Sequence, residues 1–203
     1  MLSLLRYHGD MLLLTPVLAE IKRLFPYATI DVVTYEGSSA LLEDDTRLRH
    51  IHILPKRGRG WARLAVMVRE FKFLLYLRSA RYDYGVFLTT QYRQCIWARM
   101  LRRARTVGIV DAKRRHAFWC QSFSVIVPEV SGSQHIVERN LSALSALGLS
   151  VSTHAHKLSL TIPPYCFQRV QQQMMQRSIH GAPYVLIHPL SRQANKMWCM
   201  ARM

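Results

Sequence analysis

Two stretches of the chain hold side chains suited to catalysis or to binding an anion. The first is Tyr7-His8-Gly9-Asp10-Met11, which follows an apolar run from Met1 to Leu5 and opens a helical pattern reaching Phe25. A strand, a glycine turn and a helix is how α/β proteins aim a helix N-terminus at a ligand beside the carboxyl end of a strand. Gly9 has no Cβ, so the backbone can turn there and approach a bound group closely. Asp10 starts the helix, and its carboxylate either caps the first turn, as aspartate often does, or faces the ligand. The second stretch is His188-Pro189-Leu190-Ser191-Arg192 with Lys196 and Trp198. A turn after a strand that offers a hydroxyl, backbone amides and a lysine suits a diphosphate. The same residues also make an ordinary surface turn with a solvated lysine.

Between these stretches lie two basic segments, Lys56-Arg57-Gly58-Arg59 with Arg63, and Lys113-Arg114-Arg115. Charge runs usually form solvated faces. Both, however, follow strand ends on the side expected to carry Asp10, where arginines make charge-assisted hydrogen bonds to phosphates. The pairs His50-x-His52 and His154-x-His156 each place two rings on one side of a strand, but no carboxylate or cysteine stands at ligand spacing. No metal is expected there. Asp44-Asp45 likewise lacks the context of a metal motif.

The elements that must position these residues follow from the pattern. Leu14, Val17, Leu18, Ile21 and Leu24 form a helical stripe that Pro26 stops. Ile30–Tyr35, Ile51–Leu54, Tyr84–Leu88 and the segment around Arg105–Val110 read as strands, rich in β-branched residues. Helices are expected at Ser38–Glu43, Trp61–Ser79, Gln91–Arg102 and Gln134–Gly148, the longest with Trp61, Leu64, Ala65, Val68, Phe71 and Leu75 on one face. Such alternation predicts an α/β fold, a Rossmann-like parallel sheet with helices on both faces. A polar helix from Pro163-Pro164 to about Ser178 reads as a connector, and Tyr184–His188 as the first strand of a second domain. The expected domains are 1–162, 163–180 as connector, and 181–203.

Composition narrows the partners. The chain carries 28 Lys+Arg against 12 Asp+Glu, a net charge of +16, over 203 residues of which half are hydrophobic. A packed core is therefore expected, and an anionic partner: nucleic acid, an anionic membrane face or a phosphorylated substrate. Four scattered cysteines without a CxxC pair suggest free thiols in a reducing cytoplasm. No apolar run is long enough to span a bilayer, and no signal peptide is read.

His8-Gly9-Asp10 followed by Leu12-Leu13-x-Thr15-Pro16-Val17 resembles the opening motif of the bacterial lipopolysaccharide core heptosyltransferases, ADP-heptose glycosyltransferases of GT-B fold. The resemblance runs from Leu4 to Trp198. It implies that Asp10 is the general base of an inverting glycosyl transfer, and that Gly9, Ser191 and Lys196 serve the ADP-heptose donor. Leu190 stands where the family usually has a second hydroxyl. The basic residues Lys56, Arg57, Arg59, Arg63, Arg114 and Arg115 then face a phosphorylated inner-core acceptor. Gln134–Asn140 resembles a further family segment, so His135 either reaches the acceptor cleft or caps and packs its helix. Ala117–Phe123 is similar to the branch often called heptosyltransferase III, an aromatic segment expected in the core or cleft wall. No metal and no cofactor beyond the donor substrate are implied.

The resemblance also implies a cytoplasmic protein at the inner face of the inner membrane, in peripheral contact with its anionic surface. Because it ends after one strand of the second domain, the chain is expected to be the acceptor-binding half of such an enzyme, weak or inactive alone. The alternative is a basic module that binds anionic lipid or nucleic acid without catalysis. No nucleic-acid motif is present, and no nucleic acid is expected as a partner.

Overall fold

The computed structural model describes residues 1–55, 62–111, 115–128, 134–152, 157–179, 181, 183–188 and 197, apart from the side chains of Ala62 and Arg63. The chain divides into two compact units, Met1–Thr161 and Ile162–Met203.

The first unit is built on a sheet of six parallel strands: β1 (Leu2–Ser3), β2 (Ile30–Tyr35), β3 (Leu48–Leu54), β4 (Tyr84–Phe87), β5 (Arg105–Val110) and β6 (Val125–Pro128), in the order 3-2-1-4-5-6. Its helices are α1 (His8–Leu12), α2 (Thr15–Leu24), α3 (Ala62–Ser79), α4 (Tyr92–Met100), α5 (Ala117–Cys120) and α6 (Ile136–Ala146), with a 3-10 turn at Ser39–Leu41. Because strand side chains alternate between faces, the sheet feeds two cores. Leu2, Leu4, Val32, Val86 and Ile109 meet Val17 and Leu18 of α2 and Leu141 and Leu144 of α6. Met1, Leu5, Val33 and Phe87 point the other way, onto Phe73 and Leu77 of α3, Trp97 of α4 and Trp119 of α5. The expected Rossmann-like sheet with helices on both faces is what forms.

Four local expectations are corrected. The helix expected from Met11 to Phe25 is two helices, because Pro16 has no N–H to donate to the Leu12 carbonyl. The Thr15 hydroxyl takes that carbonyl instead, at 2.8 Å, and Pro16 sits in the first turn of α2, where the missing N–H costs nothing. β6 was not legible, being four residues ending in a proline; as an edge strand it tolerates one. Residues 183–188 form no strand among the described residues, and the run Tyr184–Ile187 is exposed. In the second unit the described helix is α7 (Pro164–Gln176), which has no buried residue.

The fourth correction concerns α3. The stripe of Leu64, Val68, Phe71 and Leu75 faces outward and is exposed, while Phe73 and Leu77 are the buried anchors. The helix is apolar on two opposite faces, so periodicity alone cannot say which one packs.

Trp119 and Phe123 of the aromatic segment at 117–123 are buried in the core, while Phe118 is exposed. His50 and His52 lie side by side on β3, ring centroids 4.9 Å apart. Among the described residues no group of His, Cys, Asp or Glu is arranged to hold a metal ion. What His52 does face is Asp31, a fully buried carboxylate on β2. The Arg49 guanidinium donates to Asp31, Nε at 2.9 Å, and so does the Tyr82 hydroxyl.

Burial alone raises the Asp31 pKa, but the bonds from Arg49 and Tyr82 outweigh it and the net shift is downward. Burial pushes the His52 imidazole below its ordinary value, against the attraction of Asp31. Both groups bind protons more readily in the unfolded chain, so the stability they confer is present above their unfolded pKa values and is lost as pH falls. His52 acts first, below about pH 6.5, and Asp31 below about pH 4. The midpoint of urea unfolding is therefore expected to fall between about pH 7.5 and pH 5, and to fall less in His52→Gln. An equally steep fall in that variant would contradict the assignment.

Candidate active site

The order of the sheet reverses between β1 and β4. The chain builds outward from β1 through β2 to β3, then returns to lay β4 along the other side of β1. Connections leaving β1 and β4 therefore diverge, and the crevice between their carboxyl ends is where open parallel sheets bind ligands. β1 leads to Asp10, β4 to Thr89-Thr90-Gln91, and β5 to Asp111 and on to Arg115 and His116.

α1 is fixed by Met11. That side chain is fully buried, and its Sδ accepts from the Thr34 hydroxyl of β2 at 3.4 Å. With Met11 turned inward, the preceding residues turn outward: His8 and Gly9 are exposed and Asp10 is half-exposed. Tyr7, not Asp10, is the N-cap, and Asp10 is the third residue of the helix. Its Oδ2 reaches back to accept from the Tyr7 N–H at 3.2 Å. Among the described residues nothing bonds Oδ1, which leaves that oxygen available to a proton.

The turn expected at Gly9 does not form. The residue lies inside α1 with an ordinary φ, so no tight turn requires it, and a Cβ there would meet nothing within 4 Å. The open space beside it is the feature a ligand can use. Nor does a long helix begin at Asp10, since α1 is five residues and α2 starts at Thr15.

His135 is the N-cap of α6, its Nδ1 accepting from the Val137 N–H at 3.3 Å, and the residue is exposed. α6 is tied to the Asp10 region by Asn140, whose Nδ2 donates to the Leu13 carbonyl at 3.4 Å. Arg115 is exposed beyond β5. Lys56, Arg57, Arg59, Arg114, Ser191 and Lys196, with the side chain of Arg63, lie outside the described residues. A groove of about 690 Å³ opens at the opposite, amino edge of the sheet, lined by Phe25, Tyr27, Arg49, Tyr84, Leu144 and Leu149 among others. It lies at the other end of the strands, so it is not the site built around Asp10.

This sheet and edge have close counterparts. The family model described as Glycosyltransferase family 9 (heptosyltransferase) matches residues 71–202. The chain belongs to glycosyltransferase family 9. It is 32% identical over 199 residues to lipopolysaccharide heptosyltransferase 3 of Escherichia coli, covering 98% of this chain and 56% of that protein. The protein of the same name from strain K12 is 29% identical, over 96% of this chain and 54% of its own length. The chain thus spans about half the length of these curated relatives. Among solved structures, a family 9 glycosyl transferase from Veillonella parvula superposes with a TM-score of 0.69 at 16% identity, over 89% of this chain and 49% of its own. Escherichia coli heptosyltransferase WaaC with ADP superposes at 0.65 and 17% identity, over 98% of this chain and 60% of its own. Those likenesses carry the fold, a Rossmann-like half of the GT-B type.

In this family 9 chain the residues that assemble the crevice were not legible as site residues. Gln91, the N-cap of α4, joins three strand ends: its Nε2 donates to the Leu5 carbonyl at 3.2 Å, and its Oε1 accepts from the Tyr35 hydroxyl at 2.6 Å. The Ser38 hydroxyl donates to the Arg6 carbonyl at 2.9 Å, tying the turn after β2 to the same place. Arg93 pairs with Glu70 of α3 at 2.8 Å and lies over the rings of Tyr35 and Trp97. Tyr92 stacks on His116, its hydroxyl 3.1 Å from Nε2. The available signal was polar residues placed directly after β4, the strand across the reversal from β1. Gln91→Ala removes both bonds and is expected to lower unfolding stability by about 1–2 kcal/mol with the helical circular dichroism unchanged. A change below a few tenths would mean that the tie carries no weight.

Proposed function

We propose that this chain takes part in transferring heptose from ADP-heptose to the inner core of lipopolysaccharide, with inversion at the anomeric carbon. The observation that carries the reading is the Asp10 carboxylate, held by Met11 at the carboxyl end of β1 with one oxygen unbonded among the described residues, in a chain of the heptosyltransferase family. The relatives' names support it, being lipopolysaccharide heptosyltransferase 3 for two and WaaC with ADP for another.

In this reading an acceptor heptose hydroxyl approaches Asp10. Its oxygen forms a bond to the anomeric carbon of the donor while the bond from that carbon to the ADP oxygen breaks. The electron pair leaves with ADP, and the acceptor proton passes to Asp10. Lys196 and Ser191 hold the diphosphate and offset the charge that grows on it. The open space beside Gly9 admits the donor. Lys56, Arg57, Arg59, Arg63, Arg114 and Arg115 hold phosphates of the acceptor, and His135 borders it while capping α6. The reaction takes place on the cytoplasmic face of the inner membrane, with the basic surface in peripheral contact with anionic lipid. Among the described residues no helix is long and apolar enough to cross a membrane.

The assay uses the 203-residue chain alone and a chimera joining its first 188 residues to the remaining half of a relative. Heptose transfer is expected in the chimera and little or none in the shorter chain. Asp10→Asn is expected to lower turnover in the chimera by at least about 100-fold, within the range of general base catalysis, with the unfolding midpoint unchanged. Turnover within a few-fold of the parent chimera would remove Asp10 as the base.

A further inference from the structure

We propose that the outer face of α3 is a docking surface for an anionic lipid bilayer. This deepens the membrane contact proposed above and rests on that part of the reading only. α3 is an 18-residue helix following β3, so it begins at the carboxyl edge of the sheet and runs back toward the amino edge. Phe73 and Leu77 hold it to the core. On the opposite side Leu64 is 60% exposed, Met67 59%, Val68 48%, Phe71 61% and Leu75 52%. Their spacing of three and four residues makes one continuous stripe, about 16 Å from end to end at 1.5 Å per residue.

Single exposed apolar residues are ordinary, but a contiguous stripe of five marks a surface that something covers. The charges say what. Arg69, Lys72 and Arg78 are exposed on the same helix. Its one acid, Glu70, is turned inward and consumed by Arg93 at 2.8 Å. The outward side of α3 therefore presents apolar residues and cations with no anion among them, which is the pattern of a helix lying in a membrane interface. A second copy of the chain suits this face poorly. Self-pairing would set Arg69, Lys72 and Arg78 against the same residues of the partner. The stripe begins at the edge from which Asp10 is reached, so a bilayer under α3 lies alongside the site that a membrane-borne acceptor must enter.

The test is co-sedimentation of the full chain, without donor or acceptor, with vesicles of phosphatidylglycerol and phosphatidylethanolamine and with vesicles of phosphatidylcholine alone. The chain is expected to bind the anionic vesicles more tightly, with slowed amide exchange over residues 64–75. The double variant Phe71→Ser/Leu75→Ser is expected to weaken that binding by about tenfold or more, since it removes two inserted apolar side chains. Tyr27→Ser, which alters a still more exposed aromatic outside α3, is expected to leave binding unchanged. Because both variants change solvent-facing residues, unaltered circular dichroism checks that each is folded.

Failure of the unmodified chain to bind anionic vesicles would overturn the membrane contact altogether. Tight binding that the double variant leaves intact would overturn only the assignment to α3. Amides of residues 64–75 protected equally without lipid, with a dimer that the double variant dissociates, would assign the face to a second copy instead.

Discussion

Gln91 hydrogen-bonds to groups at the ends of both β1 and β2, and it does so from the end of β4, so a single amide closes the point at which the sheet reverses direction. The carboxyl ends of β1, β2 and β4 are joined by that closure. Parallel strands diverge there because each connection must leave its strand and travel back over a face, and the reversal between β1 and β4 sends neighbouring connections to different sides. Beside Gln91, the Ser38–Arg6 bond and the Arg93–Glu70 pair hold the neighbouring turns. With these ties, α1 needs little more than the buried Met11 to set the direction of the Asp10 carboxylate.

The distribution of charge follows from the same arrangement. Glu20, Asp31, Asp45 and Glu70 are each paired with an arginine. These acids are spent inside the fold, joining α2 to the segment near Ser152 and β2 to β3 and Tyr82. Among the described residues Lys72, Arg78, Arg81, Arg102 and Arg103 are exposed. The net charge of +16 suits an anionic partner.

β2 and β5 were legible in the sequence because each is a short β-branched run buried along nearly its whole length, and such runs admit few other readings. β2 and β5 fall where the pattern puts them. The failures have separate physical causes. Pro16 splits a continuous apolar stripe without interrupting it, so periodicity passes over the break. α3 is apolar on both sides, and only the packing of Phe73 and Leu77 selects the inner one. Tyr184–Ile187 has the composition of a strand, but a strand exists only with a partner. The carboxyl-edge position of Asp10 was legible from strand followed by helix; its place as third residue of a separate short helix was not, since that depends on which side Met11 packs. Gln91 carried no motif at all, because its role lies in joining strands distant in sequence.

Asp10 acts as the proposed base only if an acceptor hydroxyl reaches it at the carboxyl edge of β1. A structure of the chain with an inner-core acceptor bound tests it most directly. A heptose hydroxyl is expected about 2.6–3.2 Å from the Asp10 carboxylate, the range in which a general base takes a proton. An acceptor seated instead in the groove at the amino edge, against Phe25, Tyr84 and Leu149, would contradict it.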